Sequence, residues 1–108
     1  MSDVNISALT ALSTVQEVSA NNIANVNTDG FRASSVSLES GPEGRGVEVA
    51  SITESSVPGV MVDGVETSNT DIGREMTDMI GTGHAFSANT AFVRAQEEMT
   101  GHLLNLIA

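Results

Sequence analysis

Ala20-Asn21-Asn22-Ile23-Ala24-Asn25-Val26-Asn27-Thr28-Asp29-Gly30-Phe31-Arg32 closes the first helical segment of the chain and decides how the rest is read. Four asparagines fall within the seven residues 21–27. Asn is a poor helix former because its short amide competes for nearby backbone groups. A helix that needed only stability would not carry them. Upstream, Ala8, Leu12, Val15, Ser19, Ile23 and Val26 step by four and three residues, which predicts a helix over 3–26 with one apolar face. Ser7, Ser13 and Thr14 keep another face polar but uncharged, which suits a helix packed among other helices. Thr28-Asp29-Gly30 then predicts a turn, with Gly30 free to take positive φ, and Phe31 follows as an anchor.

Beyond that turn the pattern changes. Val36 and Leu38 alternate with Ser, Gly41-Pro42-Glu43-Gly44 marks a turn, and Val47, Val49 and Ile52 form a β-like run closed by Val57-Pro58-Gly59. Val60, Val62 and Val65 flank Asp63-Gly64, a hairpin signal. Residues 71–107 predict a long helix, capped by Thr70 or Asp71, with a span of about 55 Å. Two series run through it at alternating steps of four and three. One is Ile72, Met76, Met79, Gly83, Phe86, Thr90, Val93, Glu97, Thr100, Leu104 and Ile107; the other is Ala85, Ala88, Phe92, Ala95, Met99, His102 and Leu106. Such a helix has two adhesive faces, whereas a two-helix hairpin needs one. Gly81-Thr82-Gly83 interrupts it, as a kink, a hinge or a place where another helix approaches. The organisation expected is therefore an N-terminal helical segment over 1–32, a short β and loop region over 33–68 and a C-terminal helical segment over 69–108.

Composition narrows the function classes. The chain has 108 residues and a formal charge of −10, with all four basic residues Arg. No basic stripe exists to neutralise phosphates, so neither nucleic acid nor an anionic membrane surface is an expected partner. Residues 4–28 hold one charge, Glu17, which reads as a buried segment, while the acidic middle reads as solvated surface. Only three residues are aromatic, so the core is small and the isolated subunit is expected to be marginal until it meets partners. No cysteine is present, which removes disulfides and thiolate metal sites. The first 31 residues lack Lys and Arg and no apolar run forms a secretory signal or a bilayer span.

The run from Ala20 to Arg32 resembles the N-terminal signature of the bacterial flagellar axial proteins, the rod, hook and hook-junction family. Asn69-Thr70-Asp71-Ile72, Glu75-Met76, Met79-Ile80, Ala85-Phe86, Ala88-Asn89 and Leu103-Leu104-Asn105-Leu106 resemble the C-terminal signature of the same family. Gly46-Val47-Glu48-Val49-Ala50-Ser51-Ile52 is similar to the β segment of rod proteins, most of all the proximal rod type. The chain departs from the pattern at His84, where Arg is usual, at Gly81 and Gly83, and in a shorter middle region. The resemblance implies a mainly α fold, its terminal helices pairing as an antiparallel coiled coil around a short irregular β region. It implies a structural subunit of the basal-body rod that stacks with copies of itself and other rod proteins, crosses the periplasm and transmits torque. It also implies passage through the flagellar type III export apparatus without a cleaved signal. The packing set expected for assembly is Leu9, Leu12, Val15, Ile23, Phe31, Met76, Met79, Phe86, Val93, Leu104 and Ile107. The amides of Asn21, Asn22 and Asn25 are expected to bond across subunits, so that Asn22→Ala would spare the helicity of the free chain.

Enzyme chemistry has little to draw on. His84 and His102 lie 18 residues apart on one predicted helix, about 27 Å, too far to share a metal. None of the 13 serines has a Gly-x-Ser-x-Gly setting, and the Gly41–Gly46 loop lacks the Lys-Ser/Thr of a phosphate cradle. Asp71, Glu75 and Asp78 read as a solvated acidic face. No catalytic residue, metal or cofactor is expected. The alternative to a polymerising subunit is a non-polymerising acidic helical adaptor, similar in kind to an export chaperone.

Overall fold

Two helices and two small hairpins make up the chain, and the computed structural model describes residues 2–107. Met1 and Ala108, the outer bounds of the first and last segments, lie outside the described residues. Helix α1 spans Ser2–Ala24 and α2 spans Ile72–Ile107, with strands β1 (Ser34–Ser40), β2 (Val47–Glu54), β3 (Met61–Val62) and β4 (Val65–Glu66) between them. The first helix ends two residues before the sequence pattern does. There the backbone tightens, with Val26 N–H donating to Ile23 O at 3.1 Å, and Gly30 at φ +73 turns the chain. At the second helix Asp71 is the cap, its Oδ1 accepting the Arg74 N–H at 3.2 Å. α2 is one continuous element through Gly81-Thr82-Gly83.

The two helices lie side by side and antiparallel: Asn22 near the end of α1 bonds Glu75 near the start of α2, while Ile6 shares a groove with Phe92, Gln96 and Leu103. Hairpin β1–β2 lies along α1 on another flank. Its far end meets the first turns of α1, where Ser7 Oγ donates to Val4 O at 2.7 Å and accepts the Val47 N–H at 3.2 Å. The strands pair Val36 with Ile52 and Leu38 with Val49, and the register shifts after Ser37, leaving Ala50 as an extra residue. That bulge matters because side chains alternate faces. Without it Ile52 would point away from the face shared by Val47 and Val49. In the second hairpin, Asp63 and Gly64 both have positive φ, 51 and 81, the backbone of a type I′ turn.

α1 is thus flanked on two sides, and its most buried positions are small or polar: Ala11, Ser19 and Asn22. Ala11 is the only buried hydrophobic side chain among the described residues. The molecule measures 74 × 26 × 14 Å with a radius of gyration of 19.0 Å, against about 13 Å for a compact chain of this length. Its thin dimension is little more than one helix with side chains. A layer so thin has almost no interior.

Gly46 sits at φ +69, and a Cβ there would collide with Ser7 Oγ. Gly46→Ala is expected to lower stability by about 2 kcal/mol. Gly81 is helical with nothing within 4 Å of a Cβ, so Gly81→Ala should raise it by about 1 kcal/mol. Urea titration of the two variants beside the parent chain checks both signs.

Candidate assembly interface

Asn22 is 1% exposed, the most buried large side chain among the described residues. Its Nδ2 donates to Ser34 O at 2.8 Å and to Glu75 Oε1 at 3.1 Å, while its Oδ1 accepts the Ser34 N–H at 2.9 Å. The side-chain amide therefore behaves as a strand partner for Ser34 and ties β1 and α2 to α1. Three of the four hydrogen-bond positions of an Asn amide are filled. Within the chain the Asn22 amide is thus already engaged. Asn25 is engaged likewise: its Nδ2 donates to Asn21 O at 2.9 Å and its Oδ1 accepts from Thr28 Oγ1 at 3.0 Å, closing the end of α1. The Asn21 side chain faces solvent.

A second knot, which sequence reading reached only as part of a motif, is Asn69. Its Oδ1 accepts the Ala33 N–H at 2.7 Å, its Nδ2 donates to Val57 O at 2.7 Å, and its own N–H donates to Phe31 O at 3.1 Å. Beside it Arg32 donates Nη1 to Ser56 O at 2.8 Å and pairs through Nη2 with Glu66 at 3.2 Å. Phe31 is half-buried here.

Leu9, Leu12, Val15, Ile23, Met79 and Val93 are half-buried. Phe86, 39% exposed, shares a groove with Leu12, Gln16 and Ala20. The least exposed positions of α2 are Glu75, Met79, Thr82, Asn89, Val93 and Gln96 with Gly83 and Ala85, so the row turned toward α1 departs by one residue from the first predicted series at 75, 82, 89 and 96. Polar groups in that row make it a weak seam. Gln16 and Gln96 each hold a carbonyl oxygen out of water with no donor among the described residues. The outer residues of the packing set, Met76, Leu104 and Ile107, face solvent. So do Ala88, Phe92, Ala95, Met99 and Leu106 of the second series. No residue of the 36-residue α2 is buried.

The exposed area is 7368 Å², against about 5,700 Å² for a compact monomer of 11.2 kDa. Exposed apolar surface gathers in two places. The last turns of α2 show Met99, Leu103, Leu104, Leu106 and Ile107. At the other end, the β3–β4 prong shows Val60, Met61, Val62 and Val65. Among the described residues no group of His, Asp and Glu is placed to hold a metal ion, and no helix is long and apolar enough to cross a membrane.

Removing the Asn22 amide orphans Ser34 and Glu75 in a nearly closed site. Asn22→Ala is expected to cost about 3 kcal/mol, and Asn22→Asp at least as much, because a second carboxylate would face Glu75. Circular dichroism of the free chain should therefore show lower helicity and earlier melting for both.

Residues 3–32, which hold α1 and its Asn-rich end, match the family described as Flagella basal body rod protein. Residues 64–106, from the Asp63-Gly64 turn through α2, match the family described as Flagellar basal body rod FlgEFG protein C-terminal. No curated protein matches the sequence. The two matches stand in order at opposite ends and together take in more than half of the chain. With paired terminal helices around a short antiparallel β region, the chain belongs to the flagellar basal body rod protein family, structural proteins of the flagellar basal body.

Proposed function

We propose that this chain is a polymerising subunit of the rod, most like the proximal type, whose terminal helices act as an antiparallel coiled coil and add to a helical stack that transmits torque. The observation that carries this reading is the exposed apolar surface of α2, Phe92 with Met99 and Leu106, in a molecule whose only buried hydrophobic among the described residues is Ala11. A chain that leaves this much apolar surface wet gains most of its order by association. Its partners are copies of itself and other rod proteins, through contacts that do not close on themselves. We further propose export through the flagellar type III apparatus without a cleaved signal, residence in the periplasmic rod, and no catalytic, cofactor, nucleic-acid or membrane-inserting role.

The test uses a flagellated strain from which the endogenous copy has been deleted. The parent chain should restore swimming and co-purify with basal bodies. Phe92 is 48% exposed where it shares a groove with Ile6, so Phe92→Asp should keep most of the helicity of the free chain while incorporation falls roughly tenfold or more, the loss of one apolar anchor. Normal incorporation of Phe92→Asp, or a chain that stays outside basal bodies, would overturn the reading and favour the adaptor.

A further inference from the structure

Two Asp-Gly pairs lie in the chain, Asp29-Gly30 and Asp63-Gly64, and each follows a β-branched residue, Thr28 or Val62. An aspartate before glycine can rearrange, because no side chain on the following residue shields its amide nitrogen from the aspartyl carboxyl. On local sequence alone the two pairs should react alike. The other aspartates, Asp3, Asp71 and Asp78, precede Val4, Ile72 and Met79, whose side chains crowd that approach.

The fold separates the two pairs. Both are exposed, and a Cβ at either glycine would meet nothing within 4 Å, so access does not distinguish them. Hydrogen bonding does. Gly30 N–H donates to Glu66 O at 2.8 Å, which holds its proton and fixes the direction of the nitrogen. Gly64 N–H, at the tip of the β3–β4 hairpin, has no partner among the described residues. Asp63 also sits at φ +51, a left-handed conformation that a side chain disfavours, whereas Asp29 has negative φ. The strands on either side of Asp63 are two residues each, so the turn opens at little cost.

We infer that Asp63 is a site of spontaneous isoaspartate formation, and that the Gly30–Glu66 hydrogen bond guards Asp29 from the same reaction. Gly64 N attacks Cγ of the protonated Asp63 carboxyl. A C–N bond forms, and the carboxyl OH leaves with the amide proton as water. Water then opens the succinimide ring. Addition at Cγ restores aspartate. Addition at the main-chain carbonyl breaks its bond to Gly64 N, so the backbone runs on through Cβ and Cγ and the former carbonyl becomes a free carboxylate. The sum neither gains nor loses an atom, and the charge is unchanged. The turn nevertheless becomes one methylene longer, which such short strands cannot absorb. Glu66 O then shifts away from Gly30 N–H, and Asp29 follows second.

The test incubates the full chain near neutral pH at physiological temperature and samples it over weeks. Isoaspartate is labelled with an isoaspartyl methyltransferase and assigned to a site by fragmentation of the digested peptides. In the folded chain the label at Asp63 should appear roughly fivefold faster than at Asp29, the population cost of breaking one hydrogen bond. In urea, where neither nitrogen is held, the two rates should converge. Asp63→Glu, whose extra methylene disfavours ring closure, should remove the fast label and leave Asp29 slow throughout. The comparison in urea needs no variant, so it stands whether or not Asp63→Glu matches the parent by circular dichroism. A rate at Asp29 level with that at Asp63 in the folded chain, a ratio unchanged by urea, or no label at either site overturns the inference.

Discussion

The hydrogen bonds of one buried amide hold the three layers in register. Asn22 meets both backbone groups of Ser34 and the carboxylate of Glu75, so a single residue fixes where β1 starts and where α2 lies along α1. Most small domains delegate that task to a hydrophobic core, in which many contacts of modest strength add up. Here the core is close to absent, and directional bonds do the positioning. The Asn69 and Arg32–Glu66 contacts extend the same logic to the connection between β2 and α2. All of them gather at one end of the helix pair, which leaves the other end to a seam containing Gln16 and Gln96 with unmatched carbonyls.

The helices and the turns were legible in the sequence for local reasons, while the antiparallel pairing came only from the family resemblance. The steps of four and three from Ala8 to Val26 and the Asp71 cap each rest on short-range geometry, as does Asp63-Gly64. Asn22 was legible as special but not in its partners, because composition shows that an amide is costly in a helix and says nothing of what it bonds. The bulge at Ala50 was written in the spacing of Val47, Val49 and Ile52, two residues and then three, which a flat strand cannot place on one face. Neither the one-residue offset of the α2 row nor the continuity of Gly81-Thr82-Gly83 could be read locally. Both depend on how a neighbouring helix lies, and Glu75 faces α1 only because Asn22 is there to receive it.

Charge and exposure divide the surface in a consistent way. Acids concentrate in the middle of the chain, on β1–β2, the β3–β4 hairpin and the start of α2, while residues 99–107 at the end of α2 carry no Asp, Glu, Lys or Arg. A strongly acidic protein stays dispersed through self-repulsion. Leaving the last turns of α2 without charged side chains lets solubility and adhesion coexist on one small molecule.

A body 26 Å broad and 14 Å thick has the mechanics of a ribbon. Bending across the broad direction must stretch one flank against the other, whereas bending across the thin one barely strains either surface. Any curvature that a larger structure imposes will be taken up along that soft direction, while the continuous backbone of α2 carries load lengthwise.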